Sequence, residues 1–398
     1  MGMILPDAGW RTRPGLVPLT GVLGGDASVS RFVGGAVRDT LLGLAPADPA
    51  AIDIDIATCL PPREVVERLE DARIRAVPTG IAHGTITAIT EGGTVEITTL
   101  RRDVATDGRH ATIAYTDDWR EDAARRDFTI NALYADTVSG EIFDYFGGLD
   151  DLSAGRVRFI GDPLQRIAED HLRILRFFRF HARFGREIDA PGLDACTVRA
   201  NDLMALSRER IAAELLKLLV ATRAVAVIGL MVDHGIWRAV LPEIDRDGVA
   251  RLVALADREA AAGIAPDPIR RLAALVPAQT GDSVAARLKL SNTNRKRVVA
   301  ATQGVGDEGP QALAYRHGVP GAIDRLLLAG ADVAPLRDWE PPAFPLSGGA
   351  LVERGLRKGP DVAAMRRVIE TRWIAEGFPD QARVDAIADA TVADALAG

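Results

Sequence analysis

Apolar and acidic residues alternate strictly through Ala51-Ile52-Asp53-Ile54-Asp55-Ile56-Ala57. Period-two alternation predicts a half-buried β-strand. Ile52, Ile54 and Ile56 face a core, and Asp53 and Asp55 stand side by side on the other face. Adjacent like charges on a strand repel, so a divalent cation or bulk solvent has to compensate them. The heptapeptide alone leaves both readings open. The same alternation returns in Thr94-Val95-Glu96-Ile97-Thr98-Thr99, where Glu96 is either a third carboxylate for a cation site or a solvated acid on an edge strand. Gly84 to Thr90, rich in β-branched residues, predicts one more strand. Arg31-Phe32-Val33 reads as a short strand running into Gly34-Gly35.

Helical patterning takes over in between and afterwards. Ala36 to Leu42 reads as a helix closed by Gly43, and Pro61-Pro62 opens another that runs through Leu69. Asp162 is placed as an N-cap, Pro163 at the first helical position and Gln165 at the capping-box position. The spacing predicts a single helix from there to about Phe184, stopped by Gly185. Beyond it the chain is rich in Ala and Leu and reads as almost all helix, with breaks near Pro191-Gly192, Gly235, Pro242, Gly281 and Gly304. Pro335 to Pro345 reads as a linker or turn, and Ser347 to Ala397 as a last helical part.

A length of 398 residues exceeds one ordinary core, so several domains are expected. The formal net charge of −7 argues against bulk non-specific binding to nucleic acid, though not against a local basic surface. Two cysteines, Cys59 and Cys196, make neither a zinc cluster nor a secreted disulfide scaffold. No signal-peptide pattern and no apolar run of membrane-spanning length is present. The expectation is a cytoplasmic protein with no membrane association. The six histidines show no metal-binding spacing.

Three segments carry candidate chemistry. In Val33-Gly34-Gly35-Ala36-Val37-Arg38-Asp39 the glycines allow backbone N–H groups to approach a phosphate at a helix N-terminus, with Arg38 one turn on. The plain alternative is a Gly-Gly turn beside a surface arginine. In Arg125-Arg126-Asp127-Phe128-Thr129-Ile130-Asn131, Arg126 suits a triphosphate, and Asp127 and Asn131 suit ribose hydroxyls. An ordinary surface pair on a helix fits the same residues. In the predicted long helix, Asp170, Arg173, Arg176 and Arg179 recur every three residues behind Glu169. A carboxylate fixed beside an arginine offers an acceptor and donors in one plane, matching the amine and ring nitrogen that cytosine and adenine share. Phe177, Phe178 and Phe180 flank that stripe and leave little free surface for a merely solvated face. Further basic groups, Arg287 to Arg297 and Arg354 to Arg372, suit a phosphate-binding strip or a solvated surface.

Taken in order, Gly-Gly-Ala-Val-Arg-Asp, Asp-x-Asp, Arg-Arg-Asp-Phe-Thr-Ile-Asn-Ala-Leu and Glu-Asp-x-x-Arg resemble the class II tRNA nucleotidyltransferase and bacterial poly(A) polymerase family over residues 30–240. Ser207-Arg208-Glu209-Arg210-Ile211 with Glu214 resembles the family's next helix motif, and Leu346-Ser347-Gly348-Gly349 through Lys358-Gly359-Pro360 its tail. The resemblance implies an α+β architecture. A nucleotidyltransferase-type β-sheet head with helices (residues 1–146) would precede an all-α neck (147–220), body (221–335) and tail (336–398) that contacts tRNA. It implies two Mg²⁺ ions on Asp53 and Asp55; Glu96 stays the candidate further catalytic acid that the strand alternation alone suggests. Gly34, Gly35, Arg38 and Arg126 would serve the phosphates, and Asp127 and Asn131 the ribose. Glu169, Asp170 and Arg173 would read CTP and ATP, supported by Arg176 and Arg179. Residues 102–118 resemble the loop the family uses in switching from C to A addition. Val77 to Thr85 lacks the basic run of the poly(A) polymerases, which places the resemblance on the bacterial CCA-adding branch. The expected activity is template-independent addition of CCA to the tRNA 3′ end. Poly(A) synthesis, A-only addition and a non-catalytic RNA-binding role are the alternatives. The sequence leaves the oligomeric state open.

Overall fold

The computed structural model describes residues 2–26, 28–80, 84–107 and 110–397. The chain divides into two compact units, Met1–Pro242 and Glu243–Gly398.

The first unit is built on a mixed sheet. Its strands are β1 (Ser30–Val33), β2 (Ile54–Thr58), β3 (Arg75–Gly80), β4 (Thr85–Thr90), β5 (Gly93–Thr99), β8 (Leu133–Asp136) and β9 (Ile142–Asp144). They run in the order β3-β4-β5-β2-β1-β8-β9. The β2–β5 pair is parallel, and the other pairs are antiparallel. Central placement of β2 follows from its composition: Ile54 and Ile56 are fully buried, and Ala57 is buried on the opposite face. Asp55 therefore sits at the end of a central strand with an apolar strand body behind it. A separate two-stranded ribbon pairs β6 (Arg101–Asp107) with β7 (His110–Tyr115). The proposed switching loop, 102–118, falls on this ribbon, and residues 108 and 109 lie outside the described residues.

Helices α1 (Leu16–Val22), α2 (Gly35–Leu41), α3 (Pro62–Asp71), α4 (Trp119–Ala124) and α5 (Gly148–Ala154) accompany the sheet. Helices α6 (Pro163–Glu169), α7 (Leu172–Phe184), α8 (Ala190–Val198), α9 (Arg208–Leu219) and α10 (Ala224–Asp233) complete the unit. The expected helix from Pro163 to Phe184 is thus two helices. Asp170 is extended, with φ −150° and ψ 107°. The break has a local cause. Asp170 Oδ1 accepts from Leu172 N at 3.1 Å, and a short acidic side chain that bonds the backbone ahead of it competes with helix continuation. Asp162 caps α6 as expected, accepting from Gln165 N at 2.8 Å. Phe159, Phe177 and Phe178 are fully buried, with the Phe159 and Phe177 rings stacked at 5.5 Å. The aromatic residues that flank the arginine stripe therefore anchor α7 in a core.

The second unit is helical: α11 (Arg246–Ala262), α12 (Pro268–Leu275), α13 (Gly281–Arg287), α14 (Asn292–Ala301), α15 (Pro310–His317), α16 (Val319–Ala329), α17 (Gly348–Glu353), α18 (Pro360–Ala375) and α19 (Gln381–Ala397). Close packing of α11 on the end of α12 depends on Gly248, where a Cβ would meet Leu275 O at 2.1 Å. A buried charge network ties four helices. Arg270 bonds Glu259 at 2.7 Å and Asp324 at 2.9 Å. Arg271 bonds Glu259 at 2.8 Å, and Arg297 bonds Asp324 at 2.6 Å and Asp267 at 2.9 Å. Leu351, Ile369, Trp373, Val384 and Ile387 form a separate apolar core among α17, α18 and α19.

Candidate active site

A cleft of about 590 Å³ opens in the first unit. One wall comes from the β1–α2 turn. Gly34, at φ 77° and ψ −126°, occupies a conformation that only glycine adopts readily. A Cβ there would lie 3.7 Å from Asp55 Oδ2 and 3.9 Å from Arg126 Nη1, so the turn runs close against both. Gly34 N–H is spent on Leu133 O at 3.3 Å, which corrects the expectation that it faces a phosphate.

Asp53 and Asp55 both line the cleft. Strand β2 begins at Ile54, three residues later than the Ala51 start of the sequence pattern, and Asp53 lies just ahead of it. Burial raises the Asp55 carboxyl to about 6; Arg126 opposes the rise and Glu96 and Asp53 add to it. A half-buried carboxylate crowded by two other acids is stabilised by a cation. Hard carboxylate oxygens, with room in the cleft for water and phosphate oxygens, fit Mg²⁺. Glu96 pairs in register with Asp55 across the parallel β2–β5 ladder. Its side chain is exposed and does not line the cleft. Among the described residues no group of three or more His, Cys, Asp and Glu is gathered to hold a metal. The expected three-acid set is therefore not assembled, and Glu96 acts on Asp55 as a neighbouring charge.

Arg126 is held from behind. Its Nε donates to the Tyr134 hydroxyl at 3.1 Å, and its Nη2 to Asp122 Oδ2 at 3.2 Å. Tyr134 in turn donates to Asp122 Oδ2 at 2.7 Å, and Arg125 Nε donates to Asp122 Oδ1 at 2.8 Å. Burial alone would raise the Asp122 carboxyl, but Arg126, Arg125 and Tyr134 hold it down at about 2. Burial works against the Arg126 charge, yet Tyr134 and Asp122 raise its pKa above the ordinary guanidinium value.

Arg38 lines the cleft too, but its fork is engaged. It donates to Asp39 at 2.8 Å and to Asn131 Oδ1, and lies over the Phe184 ring at 4.3 Å. Arg183 reaches the other Asp39 oxygen at 2.8 Å. Asn131 Nδ2 donates to Asp127 Oδ1 at 3.0 Å, and Arg176 holds Asp127 Oδ2 at 2.6 Å. Burial would raise Asp127, but Arg176 and Asn131 outweigh it and keep its carboxyl below the usual range. Asp127, Asn131 and Arg38 are thus a pre-formed hydrogen-bonded wall rather than free groups.

The base-reading candidates divide. Asp170 and Arg173 line the cleft; Glu169 does not. Glu169 instead bonds Arg173 at 2.6 Å and also binds Arg166. Arg173 donates to the carbonyls of Arg166 at 2.8 Å and Arg125 at 3.2 Å, so its plane is fixed by groups on both sides. Asp170 is fixed by Arg210 at 2.8 Å, from the first turn of α9. Arg179 pairs with Glu214 at 2.5 Å and covers Phe180 at 4.2 Å.

Comparison with known proteins decides the family. A profile for the poly A polymerase head domain matches residues 30–158, and one for a probable RNA and SrmB-binding site of polymerase A matches residues 187–247. Mitochondrial CCA tRNA nucleotidyltransferase 1 of Mus musculus is 36% identical over 390 residues, spanning 92% of this chain and 87% of its own length. The chain belongs to the CCA tRNA nucleotidyltransferase family. The human mitochondrial enzyme is likewise 36% identical, over 396 residues. The CCA-adding enzyme of Oceanobacillus iheyensis is 40% identical over 204 residues, 51% of this chain and 48% of its own. Among solved structures, the Bacillus stearothermophilus CCA-adding enzyme in complex with CTP shares the fold, with a TM-score of 0.69 at 24% identity over 93% of this chain and 94% of that one. The Thermotoga maritima CCA-adding enzyme complexed with tRNA shares it with a TM-score of 0.66 at 19% identity, over 98% and 96%. The α+β head followed by helical parts is therefore the architecture expected.

Within this nucleotidyltransferase, sequence reasoning missed the supports. Asp122 and Tyr134 carry no motif signal of their own: one lies in an acidic helix, the other in a short buried strand. Arg183 reads as an ordinary basic residue and Arg210 only as part of a helix motif with no assigned role, and the packing of α7 and α9 brings both to the cleft. Among the described residues no helix is long and apolar enough to cross a membrane.

Proposed function

We propose that this nucleotidyltransferase extends tRNA 3′ ends with C, C and A, using CTP and ATP and releasing pyrophosphate. The observation that carries the reading is the cleft itself. One cavity joins the Asp53–Asp55 pair, Arg126 beside it, and the Asp170–Arg173 pair. In this reading Arg126, aimed by Tyr134 and Asp122, takes the triphosphate, and its charge stabilises the negative charge that grows on the leaving pyrophosphate. Asp127 and Asn131 meet the ribose. Asp170 accepts from the exocyclic amine of cytosine or adenine, and Arg173 donates to the adjoining ring nitrogen. Uracil and guanine present a carbonyl where Asp170 needs a donor, and repulsion there excludes them. Arg176 and Arg179 keep α7 in place through Asp127 and Glu214. Two Mg²⁺ ions, when held by Asp53 and Asp55, would supply Lewis-acid activation of the 3′-hydroxyl and charge neutralisation at the triphosphate.

The ribbon at 102–118 is the proposed element for switching from C to A. The division into head 1–146, neck 147–220, body 221–335 and tail 336–398 belongs to the same proposal, with the tail contacting tRNA. A bacterial, cytoplasmic setting is its companion. It is supported by the unpaired Cys59 and Cys196, which suit a reducing compartment, whereas the relatives spanning most of the chain are named as mitochondrial; cell fractionation separates the two.

Sequencing the 3′ ends of a tRNA transcript that lacks CCA, after incubation with all four nucleotides, tests the activity. The expected product ends in CCA. A single added A, or an A tract, would replace this reading with one of the alternative polymerase activities, and an unextended but bound tRNA would indicate a binding protein.

A further inference from the structure

The second unit contains a cavity of about 280 Å³ that the proposed chemistry does not use. It lies among α11, the C-terminal ends of α12, α14 and α16, and the Gly304 turn. Ala254, Ala273 and Leu328 make part of an apolar lining, and three arginines enter it: Arg251, Arg258 and Arg325. Among the described residues no Asp or Glu lines the cavity.

Arg325 is the deciding residue. It is only 8% exposed, yet its guanidinium has no carboxylate partner among the described residues. Its Nε donates to Gly304 O at 2.6 Å, which leaves the Nη groups without an acceptor among the described residues. Burying an unpaired charge is costly. Arg258 Nη1 donates to the carbonyls of Leu327 and Leu328 at 2.9 Å each, and Arg251 donates to those of Ala274 at 2.8 Å and Leu275 at 3.2 Å. Helix-end carbonyls carry only fractional charge and do not balance three cations. The nearby acids are already committed: Glu259, Asp324 and Asp267 are paired with Arg270, Arg271 and Arg297. The cavity therefore combines uncompensated positive charge, spare N–H donors and an apolar floor.

We propose that this cavity binds a small phosphorylated molecule. The phosphate would lie among the three guanidiniums, whose planar forks match its oxygens, and a short apolar or ring-bearing body would rest on the alanines and Leu328. The volume suits such a ligand.

Isothermal titration of the full chain with phenyl phosphate tests this, using Arg126→Gln as the variant that disables phosphate binding in the catalytic cleft. The Arg126→Gln protein should retain the binding. Arg251→Gln and Arg258→Gln should each weaken it by about tenfold, the scale of one charge-assisted contact, with CTP incorporation and circular dichroism as in the unaltered chain. Absence of binding, loss of it in Arg126→Gln, or affinity in both cavity variants equal to that of the unaltered chain would overturn the proposal. So would weakened tRNA binding in Arg251→Gln without any phenyl phosphate binding, which would assign these arginines to the RNA backbone.

Discussion

At the scale of single residues, the cleft is a set of charges aimed by other charges. Asp55 carries the proposed chemistry, and Asp55→Asn keeps its shape while removing its charge. Incorporation of CTP should fall by about two orders of magnitude or more, while tRNA binding in a filter assay is retained. Equal activity in that variant would remove Asp55 from the mechanism. Tyr134→Phe deletes the hydroxyl that donates to Asp122 and accepts from Arg126. It should cost about 1–2 kcal/mol of stability in urea denaturation and raise KM for CTP, because the arginine proposed to take the triphosphate loses its orientation. A loss of stability with unchanged CTP kinetics would make Tyr134 merely structural. Arg173→Ala should scramble nucleotide choice more than it lowers tRNA affinity, checked by comparing CTP and UTP incorporation.

Elements show where patterning suffices and where it fails. Alternation alone located β2 and β5 because each buries one face and leaves acids on the other. It gave no sign of β8, whose four residues are all buried, since a strand buried on both faces has no alternation to read. The adjacency of Asp55 and Glu96 depends on parallel pairing between segments some forty positions apart, which no local pattern encodes. The break at Asp170 was hidden because apolar spacing continues across it; the Asp170 side chain turns onto Leu172 N there, and Arg210, on a helix far along the chain, holds its other oxygen. Helix α7 also carries a pH-sensitive group. Burial and the nearby Arg223 push His181 down to about 4, so the unfolded chain takes up a proton before the folded one does. Stability contributed by neutral His181 is complete above about pH 6.5 and is lost as pH falls towards 4, by about 1.4 kcal/mol per pH unit. Urea denaturation at pH 7.5, 5.5 and 4.5 should show a shallower decline in His181→Gln than in the unaltered chain; parallel declines would count against it. Gly185 packs against that ring, with a Cβ position 2.0 Å from His181 Nδ1, so Gly185→Ala should destabilise by about 1–3 kcal/mol through overpacking, read in the same experiment.

For the whole molecule, the division into two units separates chemistry from its helical partner structure. Every described residue lining the candidate active cleft belongs to residues 1–242, whereas the second unit is held by apolar cores and the Glu259–Arg270–Asp324 network. Asp324→Asn removes the carboxylate that Arg270 and Arg297 share, leaving Glu259 and Asp267 to face three arginines, and should cost about 3 kcal/mol of stability. CTP affinity, measured by titration at a temperature where the variant remains folded, should be unchanged; a fall in CTP affinity would show that the network serves the cleft. The motifs that identify the chemistry were legible because they are short and local. The arginines that aim them, and the acid-free cavity of the second unit, were not, because they exist only once helices from separate parts of the sequence have packed. The most direct measurement is stepwise extension of a tRNA transcript lacking CCA. CTP alone should add two residues and stop, and ATP supplied afterwards should add one and end the reaction. Extension by ATP alone, or a C tract that runs past two, would contradict CCA addition by this cleft.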